Sequence, residues 1–247
     1  METKAFYSSL KEKFRRLVAE RELLSDSIGI RSRTLSPREA IGNTERKDYP
    51  ILVGKETMIQ AEYRGAVGQA FTDAPSDFEG TLEDILRLDI DQDRRGLGLF
   101  AASVNAVCRF LFPEIRTVHC RDDGPELCAV KFVDEIQARF GRPRIALVGF
   151  QPALAEWLSK SFDLRVLDLN PDNVGTVKRG VAIGHGSDDF SEVVLDWADL
   201  VLCTGSVLTN GTIGPYLDLN KEVIFYGTTL SGTARLMGLK RLCFYST

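Results

Sequence analysis

Four apolar runs in the C-terminal half of this chain each end in small or polar residues: Gly149/Gln151, Asp168/Asn170, Thr204/Gly205/Ser206 and Gly227/Thr228/Thr229. These types supply hydroxyl, amide and carboxylate oxygens, with glycines that let a ligand approach the backbone. None forms a recognisable pair of nucleophile and base. The chemistry they suit is the binding of a small molecule, or of a metal through oxygen. One polar loop would mean little, because turns are polar and rich in glycine anyway. Four such loops gain meaning if the runs are parallel strands, whose carboxyl ends share the edge where ligands bind.

The first loop carries part of a dinucleotide fingerprint. Gly149 fits the first glycine, and Asp168 stands about 20 residues further on, near the place of a ribose-binding acid. Gln151 and Leu154 occupy the places of the second and third glycines, and Pro152 removes an N–H from the start of the next helix. NAD or FAD is therefore not expected, while a mononucleoside or adenosyl group held by Asp168 stays open.

A second group of candidates lies upstream. His119, Cys120 and Asp122, with Glu126 and Cys128 nearby, are ligand types for a transition metal such as Co, Ni, Fe or Zn. No C-x-x-C or H-x-x-x-H pair accompanies them, and in an extended segment His119 and Cys120 point opposite ways. The bland alternative is a loop with one capping carboxylate and a buried thiol. His185, between two glycines, reads as a loop histidine. Asn105 lies inside an apolar helical stretch and must find hydrogen-bond partners there, either to a neighbouring loop or to a ligand. G-x-S-x-G, P-loop and H-E-x-x-H motifs are absent from the sequence.

The elements that must position these residues follow from periodicity. Phe6, Leu10, Phe14, Leu17 and Val18 recur at helical spacing, predicting a helix over 4–24. Residues 27–35 and 57–63 alternate as strands, and 64–72 holds a tight glycine turn between extended pieces. Thr81 is placed to N-cap a short helix through Leu88. Residues 96–112 are apolar on most sides, predicting a buried helix. A second helix runs from Glu126 to Phe140, with Pro125 in its first turn. From Arg144 onward short apolar strands (145–148, 165–167, 180–183, 200–203, 222–226 and 241–245) alternate with helices, which predicts a mostly parallel sheet.

The 247 residues carry 31 Lys+Arg against 35 Asp+Glu, for a formal net charge of −4, so no basic excess argues for a nucleic-acid partner. The cluster Lys11, Lys13, Arg15 and Arg16 reads as a solvated helix face. No apolar run approaches a membrane span and the N-terminus has no secretory h-region. Five cysteines form an odd set without a disulfide framework, so a reducing, cytoplasmic setting is expected.

Gly65-Ala66-Val67-Gly68-Gln69-Ala70-Phe71-Thr72, Thr117-Val118-His119-Cys120, Val148-Gly149-Phe150-Gln151-Pro152-Ala153, Asp168-Leu169-Asn170-Pro171, Thr204-Gly205-Ser206 and Phe225-Tyr226-Gly227-Thr228-Thr229 resemble phrases of the DUF364 family, across nearly the whole chain. That family carries a heavy-metal chelation label, partly tied to anaerobic corrinoid or metal-chelator metabolism. The resemblance implies an α/β protein: a small N-terminal α+β domain like the N-terminal domain of enolase (1–95), then a Rossmann-like domain with a mostly parallel sheet (96–247), and a site at their junction. It licenses no enolase chemistry, because function belongs to the site and not the fold. Three functions stand open at this level. The first is handling of a metal ion or metal chelate in the interdomain cleft, through Asp168, Asn170, Ser206, Thr228 and Thr229, with His119 or Cys120 reaching in. The second is a transferase or other small-molecule enzyme with an adenosyl or nucleotide ligand. The third is a non-catalytic binding module. The expected partner is a small molecule or chelate, with a homo-oligomer left open.

Overall fold

The computed structural model describes residues 1–24, 30–53 and 57–247, the side chains of 30–32 and 53 aside. Part of the strand expected over 27–35 lies outside the described residues; its remainder is β1 (Ile30–Leu35). β1 pairs antiparallel with β2 (Thr57–Tyr63) and β4 (Phe78–Gly80), and β2 pairs with β3 (Ala66–Thr72), giving a four-stranded sheet in the order β3-β2-β1-β4. The β2–β3 connection is a two-residue hairpin, Arg64-Gly65, with φ of +48° and +79°. Positive φ at both positions matches the twist of the flanking strands. Ser36 begins the short α2 (Pro37–Ile41) with a capping box closed by Glu39, and Thr81 begins α3 (Leu82–Arg87) in the same way with Asp84.

The expected helix over 4–24 ends earlier, as α1 (Thr3–Ala19), and buries Phe6, Tyr7, Leu10, Phe14 and Val18. The long buried helix is α4 (Arg94–Leu111), with every residue from Gly96 to Cys108 buried. It lies against β3 and β2 on one side and against α7 (Ser231–Met237) on the other. Glycine makes these approaches close enough. A Cβ on Gly68 would fall inside the backbone envelope of Ala106 and Ala102, and one on Gly232 would sit 2.8 Å from Val104 O.

Asn105 fastens this sandwich. Its Nδ2 donates to Gln69 O on β3 (2.9 Å) and to Thr228 O and Thr229 O (3.0 Å each), and its Oδ1 accepts from Gly232 N (2.7 Å). One buried amide therefore ties the antiparallel sheet to the loop and helix behind the second sheet, and all its contacts are to backbone.

The second sheet has seven strands in the order β11-β10-β9-β5-β6-β8-β7. Its strands are β5 (Ile145–Val148), β6 (Leu164–Asp168), β7 (Val177–Lys178), β8 (Val181–His185), β9 (Leu200–Thr204), β10 (Glu222–Tyr226) and β11 (Arg241–Leu242). All pairings are parallel except that of the edge strand β7 with β8. The chain starts at β5, builds outward through β6 to β8, then returns to the other side of β5 and builds through β9 and β10 to β11. This is the doubly wound order, whose ligand crevice lies where the direction reverses, between β5 and β9. α5 (Gly124–Phe140) and α6 (Pro152–Ser159) pack on each other beside it.

Residues 191–197 form one wide helical turn, closed by Lys221 Nζ on the carbonyls of Val194, Leu195 and Ala198 (2.7–2.8 Å). The strand expected over 241–245 stops at Leu242. Beyond it the chain leaves the sheet, and Thr247 exchanges backbone bonds with Thr117 and Val118. Thr117 O in turn accepts from Gln69 N, which covers the outer edge of β3. No helix of the described residues is long and apolar enough to cross a membrane.

Gly68→Ala is expected to lower unfolding free energy by about 3 kcal/mol, because backbone must move to admit the Cβ. Gly65→Ala, whose Cβ meets nothing within 4 Å, is expected to lose only about 1 kcal/mol for its positive φ. Asn105→Leu leaves buried carbonyls and an N–H without partners and is expected to lose about 3 kcal/mol. Urea unfolding of the three variants checks this order; equal losses at positions 65 and 68 would remove the close-approach argument.

Candidate functional site

The carboxyl ends of β5, β6, β9 and β10 open into one cleft of about 1000 Å³. Its far wall comes from the antiparallel sheet and the connection between β1 and β2, through Phe71, Thr72, Asp73 and the segment Tyr49–Ile51. Each wall is held by identifiable bonds. Phe71 N donates to Thr229 Oγ1 (3.0 Å), and Thr209 Oγ1 donates to Phe71 O (2.9 Å), so the end of β3 is stitched to the loops after β9 and β10. The 42–50 loop is pinned by Arg46, which is mostly buried and pairs with Glu126 and with Glu156 (2.9 Å). Tyr49 OH and Trp157 Nε1 also donate to Glu126 (3.2 and 3.1 Å), and Arg179 pairs with Asp48.

The strand-end residues are brought together, with different duties. Gly149 has φ of +86°, and a Cβ there would lie 2.7 Å from Thr204 Cγ2 and 3.2 Å from the Tyr226 hydroxyl. Tyr226 OH donates to Val148 O (3.1 Å) and Gly149 O (2.8 Å), so a phenol covers the crevice between β5 and β9. Gln151 is the N-cap of α6 and its Oε1 takes Leu154 N. Asp168 accepts from Phe150 N (2.8 Å), Asn170 N (2.7 Å) and Asn173 Nδ2 (3.1 Å), and Asn173 Oδ1 receives Lys178 Nζ. A carboxylate offers about four acceptor sites, so Asp168 keeps one for a ligand. Thr204 Oγ1 accepts from Ser206 N (3.3 Å) and caps the turn Gly205–Val207. Gly227 lines the cleft and its carbonyl accepts from Arg241 Nε (2.6 Å).

Other candidates lie off the lining. Thr228 is buried beneath it, its Oγ1 without a partner among the described residues, and Asn105 is enclosed in the sandwich described above. Asp122 is exposed with φ of +57°, and its Oδ1 accepts from Asn43 N (2.8 Å), latching the 42–50 loop. His185 turns back on its own loop, its Nδ1 accepting from Asp188 N (3.2 Å).

His119 and Cys120 do reach the cleft. The His119 ring stands edge-on to Phe71 (5.4 Å), and its Nδ1 lies 2.6 Å from Cys120 O. A carbonyl can only accept, so the proton sits on Nδ1 and the Nε2 lone pair is left over. Burial pushes the His119 pKa down, keeping the ring neutral, and pushes the Cys120 thiol up to about 12.

Sequence reasoning missed Tyr226, Arg46 and Cys243. Cys243 lies just past the end of β11 and lines the cleft beside Cys128. A hydrogen bond from the Cys128 thiol, then the Arg241 guanidinium and a bond from Ser246 hold the Cys243 thiol well below its ordinary value, against the opposing effect of burial. The Cys128 thiol is pushed up by the same contact and by burial. The expectation that residues 241–245 are a strand hid Cys243 inside it. Among the described residues no three His, Cys, Asp or Glu side chains gather as a metal-binding group.

The depressed His119 pKa fixes a pH dependence. The unfolded chain binds the proton more readily, so this contribution to stability is complete above about pH 6.5 and is lost as pH falls toward the folded value, at no more than about 1.4 kcal/mol per pH unit. His119→Gln should flatten that slope in urea unfolding between about pH 7 and 5; an unchanged slope would show that His119 does not carry it.

The segment 133–239 matches the family model DUF364, described as "Putative heavy-metal chelation". That segment holds all four strand-end loops and leaves out His119, Cys120 and Cys243. No curated protein matches the chain. Among solved structures, a DUF364 protein of unknown function from Pyrococcus horikoshii is 18% identical, with a TM-score of 0.55, covering 94% of this chain and 82% of that one. Another of unknown function, from Desulfitobacterium hafniense DCB-2, is 15% identical with a TM-score of 0.48, covering 74% and 72%. The first likeness supports the mixed α/β fold. The family that the sequence phrases resemble is thus the one whose model the chain matches, DUF364, over residues 133–239.

Proposed function

We propose that the cleft binds a heavy metal as a chelate, the ion wrapped in a small organic ligand. The observation that carries this reading is the mismatch between the cleft's size and its ligand set. A bare transition-metal ion wants three or four protein donors at about 2.0–2.3 Å, and no such group gathers among the described residues. A space of about 1000 Å³ is the size of an organic-ligand pocket. A chelator brings its own donors, so the protein needs only to recognise its surface.

The lining suits that task. Phe71, Phe150, Phe190 and Tyr216 supply apolar faces, while Asp168, Asn170, Ser206 and Thr229 supply oxygens at the strand ends. The family's chelation label agrees with this reading. Among the ions expected from the sequence (Co, Ni, Fe and Zn), the lining favours none, since the chelator and not the protein would meet the metal.

A nucleotide or adenosyl ligand is the second reading, favoured by one observation: Asp168 ends the second strand of a doubly wound sheet and keeps one acceptor site. Against an extended dinucleotide stand Tyr226 over the β5–β9 crevice and Gln151, whose Oε1 already occupies the Leu154 N–H in the first turn of α6.

Calorimetric titration with Co²⁺, Ni²⁺, Fe²⁺ and Zn²⁺, each free and pre-complexed with a corrin or a polycarboxylate, tests the proposal. At least one complex is expected to bind near micromolar and at least about tenfold tighter than its free ion, with Asp168→Ala weakening it about tenfold. Binding no tighter than millimolar for every complex would overturn the proposal, and a thermal shift with S-adenosylmethionine or ATP alone would favour the second reading.

A further inference from the structure

The side-chain amides of the cleft have a fixed polarity. Gln151, Asn170 and Asn210 all line it. In each, the carbonyl oxygen is held by an N–H that can only donate: Gln151 Oε1 by Leu154 N, Asn170 Oδ1 by Asp172 N (3.0 Å) and Asn210 Oδ1 by Arg94 Nη2 (3.5 Å). An N–H must meet the oxygen of an amide and not its nitrogen, so the two ends cannot be exchanged. The NH₂ is the end left over, and among the described residues no acceptor takes it. Ser206 repeats the pattern: its oxygen accepts from Thr204 Oγ1 (3.4 Å), and its hydrogen remains. These four groups lie along the strand-end edge, Gln151 after β5, Asn170 after β6, Ser206 and Asn210 after β9. Arg94 stands beside Asn210 in the lining, its charge offset by Asp73 (2.7 Å), with further N–H donors on the same fork. Asp168 is already covered by three N–H donors, and Lys178 stands behind it through Asn173.

We propose, resting on the chelate reading, that the organic part of the ligand is a polycarboxylate. Its outer oxygens accept from the Gln151, Asn170 and Asn210 amides and the Ser206 hydroxyl, while Asp168 accepts an N–H or O–H of the same molecule.

The selection follows from what each end of the ligand can offer. A carboxylate that grips a metal through one oxygen turns its other oxygen outward, where it accepts from several donors. Hydrogen bonds to an ionised acceptor are roughly twice as strong as those between neutral groups, so neutral amides suffice to read it. A chelator whose rim carries amines brings hydrogens to groups that already hold hydrogens, and the cleft donors would lose water without gaining a partner.

The test compares two substitution-inert complexes of nearly the same shape, bis(iminodiacetato)cobalt(III) and bis(diethylenetriamine)cobalt(III), by calorimetric titration of the full chain. Both carry secondary-amine N–H groups for Asp168, neither releases a free ion, and only the first presents carboxylates. The iminodiacetate complex is expected to bind at least about tenfold tighter, against the long-range attraction that a formal net charge of −4 gives the cationic amine complex. Gln151→Glu and Asn170→Asp keep an oxygen for Leu154 N and Asp172 N and replace the NH₂ by a second oxygen. Each is expected to weaken the iminodiacetate complex about tenfold, and Ser206→Ala, which removes a donor without adding charge, about fivefold. Melting temperatures of the ligand-free variants check that the turns they cap are kept. Equal or tighter binding of the amine complex, or unchanged affinity in the Gln151→Glu and Asn170→Asp variants, would overturn the proposal. So would binding no tighter than millimolar for both complexes. The chelate reading falls only if every complex of the earlier titration fails as well, so the two failures are told apart.

Discussion

The architecture depends on one buried amide. Asn105 sits in a helix that is enclosed on every side, where an unpartnered polar group would be strongly unfavourable. Its four hydrogen bonds reach β3, the loop after β10 and the start of α7. A hydrophobic contact could hold these elements together but could not fix their register, since it has no direction. The amide fixes it, and the glycines at 68 and 232 let backbones come near enough for it to reach. The end of β3 is then delivered to the strand-end loops, where Thr229 and Thr209 take the N–H and carbonyl of Phe71. The cleft lies beside that fastening, lined by Phe71 and by the strand-end loops it meets.

What the cleft can do follows from how its polar groups are already committed. Much of the hydrogen-bonding capacity at the strand ends is spent on the protein itself. Gln151 caps a helix, Thr204 caps a turn, and Asp168 anchors Phe150, Asn170 and Asn173. What is left over includes one acceptor site on Asp168, the hydrogen of the Ser206 hydroxyl, whose oxygen accepts from Thr204 Oγ1 (3.4 Å), and the Nε2 of a neutral His119. Such a lining suits a ligand that arrives largely self-satisfied, as a chelate does, through shape and a few bonds.

Much of this was legible in the sequence. The alternation of short apolar runs with helices gave the parallel sheet, and the polar residues after each run gave the edge on which the cleft lies. The glycine turn of the hairpin and the cap at Thr81 were readable because turn and cap chemistry is local. What could not be read is what depends on long-range partners. Asn105 was visible as a buried polar residue, but its partners stand as far as 127 positions away. Arg46 carries no sequence signal for its pairing with Glu126 and Glu156. Tyr226 reads as a strand residue until the reversal of strand order brings it over Gly149. Cys243 was masked by an apolar run that looks like continued strand, though the sheet ends at Leu242 for want of a pairing neighbour.

The central claim is that the cleft between the fastened sheets is where a metal-bearing small molecule binds. The most direct measurement is anomalous diffraction from a crystal soaked with a cobalt or nickel chelate, collected on both sides of the metal's absorption edge. The account predicts one anomalous peak inside the cleft, between Phe71 and the Asp168 and Ser206 loops, with no protein atom in the metal's first coordination shell. A peak on the outer surface alone, or an empty cleft at saturating chelate, would contradict it.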